Sequence, residues 1–419
     1  MKNRQAISLL FLSNIISGFA QGISMIAIPW YFVDQIGKPL LFANFYLLIT
    51  FLTLFWGLYA GTIIDRYSRK KVFIYTNLIC GLIILTISFY GYVSPYGVPS
   101  FLVLLVFGLT IFNYNIHYPN LYAFGQEITE EKSYGKLNSY IEIQGQVTSM
   151  LAGAVAAILL SGVEKGPFKL GGFMLEIPFS IEKWSIQKVF MLDAVTYFLS
   201  AFIFLFIKYI PIVTDKIDKG RIIQRLKSGF NFLRDNRQIF IFGVFTYMLF
   251  AFTIVQVHIL LPSYVENFMR EDASVYASAE MYYSLGAILS GILVYRILKK
   301  YNAYLSIVFL MSIVSVSFFF MTFINSLFIF FIANFILGIT NAGVRILRTT
   351  YLFSKVPNNI IGRAGSVFGS INVTIRMILI GILSLPFFME GYNIRWSYFI
   401  GGVLMVFTIS VLLYYSSKE

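Results

Sequence analysis

Residues 57–74 read GLYAGTIIDRYSRKKVFI. A long apolar run ends at Asp65-Arg66, a short polar turn carries Arg69, Lys70 and Lys71, and a new apolar run begins at Val72. Apolar runs on both sides of so short a turn leave no room for a soluble domain between them. The pattern is that of two membrane helices joined by a basic turn. Gly57 and Gly61 form a G-x-x-x-G pair, the spacing that lets a neighbouring helix come close in lipid.

The same reading extends along all 419 residues, of which 58% are hydrophobic, 18% aromatic and only 12% charged. Soluble domains carry roughly 25% charged residues, so lipid must be much of this chain's solvent. Backbone groups in hydrocarbon have to be bonded internally, which leaves helices or a closed barrel. Barrel strands alternate over about 10 residues. The runs here are longer and unbroken, as in FLVLLVFGLTIF from Phe101 and SLFIFFIANFILGI from Ser326. An all-α membrane protein follows. The single Cys80 excludes a disulfide framework or a cysteine metal site within one chain.

Twelve spans are expected, at 8–34, 40–64, 72–93, 99–125, 138–162, 188–208, 238–263, 278–298, 302–322, 326–350, 364–389 and 396–415. The first apolar stretch, from Leu9, lacks a small-residue cleavage pattern and reads as a span rather than a cleaved leader. With the N-terminus in the cytoplasm, most Lys and Arg fall on the cytoplasmic side, as the positive-inside rule requires. Both termini are then cytoplasmic, in a plasma membrane. The net charge of +13 meets anionic lipid headgroups on this reading, and no nucleic acid.

The organisation expected is a six-helix bundle over 1–210, a cytoplasmic linker over 211–237, and a second bundle over 238–419. In the linker, Ile222, Ile223, Leu226, Phe230 and Leu233 recur at helical spacing between basic residues, the mark of an amphipathic surface helix. The segment 163–187 is long for a loop, and FKLGGFMLEIPF suggests a hairpin turning at Gly171-Gly172.

The 57–74 turn resembles the signature loop of the major facilitator superfamily, Gly-x-x-x-Asp-Arg-x-x-Arg-Lys-Lys, with Gly61, Asp65, Arg66, Arg69, Lys70 and Lys71 at the matching positions. RIIQRLKSGFNFLRDNRQIF before span 7 and VPNNIIGRAGSV before span 11 are similar to the macrolide-efflux branch of its drug:proton antiporters. The resemblance implies a twelve-helix transporter of two six-helix bundles, acting as a monomer by alternating access. It also implies a latch: Asp65 near the start of span 11, paired by Arg69, with the glycine pairs Gly57/Gly61 and Gly365/Gly369 allowing close approach. In that family spans 1, 4, 7 and 10 line the cavity, while 3, 6, 9 and 12 face lipid.

Polar residues at membrane depth are costly and so mark function. Span 1 offers Asn14, Gly18 and Gln21; span 4 offers Asn113, His117 and Asn120; span 5 offers Glu142, Gln146, Ser149 and Gly153; span 7 offers Thr253, Gln256 and His258. On span 10, Asn334, Gly338, Asn341, Arg345 and Arg348 share one helical face, and Gly365, Gly369, Asn372 and Arg376 do so on span 11. Arg348 reads as an interfacial, topological residue; Arg376 lies mid-span, too deep to snorkel. The candidate cavity residues are Asn14, Gln21, Asn113, His117, Glu142, Gln146, Gln256, Asn341, Arg345, Asn372 and Arg376.

Drug antiporters often carry an acid deep in span 1, and many carry an Arg in span 4 and a Gly-Pro motif in span 5. Here Asp34 stands near the far end of span 1, and the other two features are missing. Glu142 and His117 are the candidate proton carriers in their place. Arg345 and Arg376 outnumber Glu142 at depth, a balance that favours anionic or zwitterionic cargo. No G-x-x-x-x-G-K-[ST] loop occurs, so an ion gradient is the expected energy source. An exporter of small organic compounds is the leading expectation. An exporter or flippase of an anionic metabolite, siderophore or lysophospholipid is the alternative. Neither needs a cofactor or a metal. Two histidines far apart in the chain argue against a membrane enzyme.

Overall fold

A computed structural model of the chain describes residues 3–130, 133–211, 222–298 and 302–416. Its helices are α1 (Arg4–Trp30), α2 (Pro39–Arg66), α3 (Arg69–Val93), α4 (Ser100–Ile128), α5 (Tyr134–Ser161), α6 (Ile186–Phe206), α7 (Ile222–Asp235), α8 (Arg237–Val255), α9 (Leu261–Ser263), α10 (Ala273–Leu298), α11 (Ala303–Phe323), α12 (Leu327–Lys355), α13 (Asn358–Leu383), α14 (Pro386–Met389) and α15 (Arg395–Ser416). Among the described residues, eleven helical segments are long and apolar enough to cross a membrane. Helix α10, 26 residues long, occupies the place of the eighth expected span.

Some ends differ from the sequence reading. The eleventh span stops at Leu383, short of the expected 389, because Leu385 precedes Pro386 and cannot stay helical. The seventh runs beyond 263: π-turns at Gln256–Leu260 and Tyr264–Met269 carry it to Arg270, which ends it in the left-handed region at φ 56°. A π-turn at Tyr31–Gln35 likewise follows Pro29. Proline lacks the amide for an i→i−4 bond, and a wider turn absorbs the gap.

The chain divides into two compact units: Met1–Gln35, Leu52–Phe168 and Met174–Asp218 form the first, and Ile36–Phe51, Lys169–Phe173 and Lys219–Glu419 the second. In the first, α1 packs on α4, α5 and α6, and α3 packs on α6. In the second, α8 packs on α12, α13 and α15, and α11 packs on α15. The contacts α1 and α3 make in the first unit are repeated by α8 and α11 in the second, while α10 packs in addition on α12.

Small residues set the closest approaches. Buried Ser13, Ser17, Ala20, Ser24 and Ala27 form a narrow stripe on α1, and a Cβ on Gly22 would lie 2.8 Å from that of Ala152 on α5. In the second unit, Gly286 on α10 and Gly338 on α12 each face the partner helix's backbone, at Phe335 and Tyr283. Gly338 is therefore a packing residue and not a cavity-lining one. By contrast, a Cβ added at Gly57, Gly61, Gly365 or Gly369 would meet nothing within 4 Å.

Apolar side chains stay exposed in stripes. Tyr75, Ile79, Leu82 and Phe89 mark α3, and Leu305, Phe309, Val316 and Phe320 mark α11. Faces this apolar need lipid beside them.

Strands β1 (Gly166–Leu170) and β2 (Phe173–Ile177) form the expected hairpin. Gly171 and Gly172 both have positive φ, 57° and 85°, the requirement of a two-residue hairpin turn. Its tip, 169–173, belongs to the second unit, where the Tyr282 hydroxyl donates to the Gly171 carbonyl at 2.6 Å.

The linker helix is α7. The side chains of Ile222, Ile223 and Leu226 and all of 212–221 lie outside the described residues. Leu233 is buried while Phe230 is half exposed, and Gly229 seats against the backbone of Arg363 at the start of α13. The helix is thus packed on its neighbour through a glycine as well as being amphipathic.

Candidate functional site

Two polar groups stand out, one in each unit. In the first, α1, α4 and α5 bring Asn14, His117 and Gln144 together. His117 Nε2 lies 2.7 Å from Asn14 Oδ1, and Asn14 Nδ2 donates to Gln144 Oε1 at 2.8 Å. Because the Asn14 amide donates to Gln144, its oxygen accepts, and His117 Nε2 carries the proton. One turn before His117, Asn113 donates to the Tyr197 hydroxyl on α6 at 3.3 Å. Gln144 was not a candidate; Gln146, which was, is half-buried on another side of α5. Gln21 is buried, its Nε2 without a partner, and the Tyr122 hydroxyl donates to Glu142 at 2.6 Å.

The second group forms where the first half of α2 joins the second unit. Tyr46, fully buried, meets the His258 ring edge-on with centroids 5.5 Å apart. Arg376 on α13 reaches the Tyr46 hydroxyl and acts electrostatically on His258. The Arg376 Nε is buried with no acceptor, and so is Nδ2 of Asn372 one turn earlier. Two donor nitrogens without acceptors, stacked on one helical face, are what a bound carboxylate, phosphate or carbonyl would satisfy. Tyr46 was missed because α2 reads as a uniformly apolar span; only its place beside Arg376 marks it.

The remaining candidates spread through the second unit. Asn341 donates to the Tyr283 hydroxyl at 2.7 Å, and Gln256 makes long bonds to Asn334 (3.5 Å) and Tyr398 (3.4 Å). Arg345 is half-buried. Arg348 is 4% exposed, donates to the Thr246 carbonyl at 3.0 Å and stacks 3.6 Å from the Tyr247 ring centre. A groove of about 580 Å³ between α11 and α12, lined by Phe309, Val316, Phe320, Phe328 and Ile332 together with Ser312 and Ser317, contains none of these polar residues. It suits lipid chains, not the polar chemistry above.

The basic turn works within the first unit. Arg69 pairs with Glu127 on α4 at 3.0 Å, and Asn120 donates to the Arg69 carbonyl at 2.9 Å. Lys70 Nζ donates to the carbonyls of Leu205 and Ile207 at 3.1 and 2.9 Å, capping the last turn of α6 where the helix dipole favours a cation. Tyr209, just past α6, sits over the Arg69–Glu127 pair, and burial pushes its phenol up from the ordinary value. Gly61 and Arg66 are exposed, and the Asp65 side chain lies outside the described residues.

One acid escaped the sequence reading. Asp193, within VFMLDAVTYFLSAF on α6, is completely buried, and neither carboxyl oxygen has a hydrogen-bond partner. An acid inside an apolar run was a legible signal, and it raises the acid count at depth beyond Glu142.

Comparison with known proteins agrees with this architecture. The chain is 20% identical over 407 residues to a protein named Macrolide efflux protein A from Streptococcus pyogenes, covering 95% of this chain and 92% of that one. Its fold is similar to that of a bacterial homologue of the human lysosomal transporter Spinster in an inward-facing, occupied conformation, with TM-score 0.71, 12% identity and coverage of 100% and 98%. It is also similar to a bacterial homologue of the iron transporter ferroportin in an inward-facing state, with TM-score 0.69, 13% identity and coverage of 99% of each chain. The family description Major Facilitator Superfamily matches residues 10–379. With the family description matching most of its length, this multi-pass membrane protein belongs to the Major Facilitator Superfamily of transporters.

Proposed function

We propose that the chain is an ion-gradient-driven exporter of small organic compounds, of the macrolide-efflux type. It works by alternating access as a monomer in a plasma membrane, with both termini cytoplasmic. The observation that carries this reading is the pair of acceptor-less donors, Arg376 Nε and Asn372 Nδ2, beside Tyr46 and His258. A buried donor left without an acceptor costs about 1–3 kcal/mol. A substrate oxygen seated there recovers that cost only while bound. The names of the macrolide-efflux relatives support drug cargo, and the basic turn's likeness to the family loop supports a gating role for Gly61, Asp65, Arg66, Arg69 and Lys70.

The same arginine favours a second reading, an exporter or flippase of an anionic metabolite, siderophore or lysophospholipid. Purified protein in liposomes under an imposed pH gradient separates the two. Drug movement that Arg376→Gln lowers by about 10-fold or more, the loss of one charge-assisted bond, supports the first. Anion transport lost in Arg376→Gln, with drug movement retained, supports the second. No movement of any candidate drug by the wild type removes the drug reading.

A further inference from the structure

Asp193 is used by nothing described so far. It sits on α6, which packs on both α1 and α3, and is completely buried. From α1, Ser24 faces it; that hydroxyl lies beside the carboxyl without reaching good hydrogen-bond geometry. From α3, Cys80 faces it, and from α6 itself Tyr197, one turn on. None of these neighbours is a Lys, Arg or His. Asp34, in the π-turn that follows α1, does have a cation: it pairs with Lys183 at 3.2 Å.

A carboxylate with no cation beside it and no well-formed hydrogen bond, taken wholly out of water, is far costlier than the neutral acid. A structural acid would be expected to bond an amide or pair with a cation. A metal cation would need several oxygen ligands, and among the described residues no cluster of three or more His, Cys, Asp and Glu exists. What fits is a single proton.

We propose that Asp193 is a proton-binding site, buried in the α1–α3–α6 core and separate from the polar groups that face substrate. The step is simple and balanced: a proton from the aqueous phase joins the carboxylate to give the neutral acid, which closes into the α1–α6 contact beside Ser24. Separation of those helices rehydrates the group and returns the proton. Tyr197 and its Asn113 bond link the site to α4, one turn from His117. Use of this proton to drive export rests on the transport reading above; the site itself does not.

Infrared difference spectroscopy on the purified full chain in liposomes tests the site without any substrate. Alkalinisation of the wild type should remove a carboxylic-acid C=O band, and Asp193→Asn should lose that component of the difference spectrum. Ser24→Ala should keep the band and shift its frequency, because the hydroxyl beside the carboxyl is gone. A wild-type spectrum with no such pH-dependent band overturns the proposal, as does an unchanged band in Asp193→Asn. A band that responds to sodium and not to pH also overturns it. If Asp193→Asn does not fold, Ser24→Ala decides, and an unshifted band then sinks the proposal. An intact band alongside no drug or anion transport leaves the proton site standing and removes the transport reading alone.

Discussion

His117 Nε2 donates to Asn14 Oδ1 at 2.7 Å, and Asn14 passes the bond on to Gln144. The three side chains are a relay in which the middle member satisfies both neighbours. Asn14→Leu strands a donor on His117 and an acceptor on Gln144. Each stranded group costs about 1–3 kcal/mol, so the unfolding midpoint of the purified protein should fall clearly. Adding His117→Leu to Asn14→Leu should cost less than the sum of the two single changes, because the stranded donor is removed. Strict additivity in that double-mutant cycle would show the contact to be energetically idle.

Arg69 and Glu127 form a pair with side chains only 19% and 15% exposed. Salt screens such a pair weakly. Glu127→Gln is expected to cost about 1.5–3 kcal/mol, the range of a charge-assisted bond. Thermal melts of the wild type at low and high salt should differ far less than the wild type differs from Glu127→Gln. A midpoint unaffected by Glu127→Gln would remove the pair from the account of the turn.

Arg348 stacks on Tyr247 and bonds the Thr246 carbonyl, both by virtue of its flat guanidinium. Lysine keeps the charge but not the plane. Arg348→Lys should therefore destabilise by about 2 kcal/mol, the scale of a desolvated cation–π contact. Tyr247→Leu should do the same, and the pair together should show coupling in denaturation of the detergent-solubilised protein. A silent Arg348→Lys would return the residue to a purely topological role.

Two glycines that look alike in sequence should behave in opposite ways. Gly338→Ala drives a methyl into the Tyr283 carbonyl, and overpacking of this kind costs about 1–3 kcal/mol. Gly369→Ala meets open space and should leave stability unchanged or raise it by about 1 kcal/mol through helix propensity. On the proposed gating role, Gly369→Ala and Gly61→Ala lower transport while melting no lower than the wild type. Full transport in both would count against the latch.

Much of this molecule could be read before any coordinates. The apolar runs named the helices, since hydrocarbon admits no other way to satisfy so much backbone. Gly171-Gly172 named the hairpin turn, since few residues accept two consecutive positive φ angles. The basic triplet after Asp65 located the family's loop. These features are local or additive along the chain, so one strand of letters carries them.

Neighbours are another matter. Helical spacing assigns a residue to a face but does not say which helix that face meets. Gln144 and Gln146 stand about 200° apart on α5, and only packing against α1 chose Gln144 for Asn14. Gly338 reads like Gly365 until α10 arrives to fill the space over one of them. Tyr46 is an ordinary aromatic in an apolar span until Arg376 lies beside it, and Asp193 is an anomaly whose isolation shows only when α1 and α3 close around it without a cation. Solvent in lipid is decided residue by residue; partnership is decided by helices that meet from distant parts of the chain, and their meeting is fixed by shape.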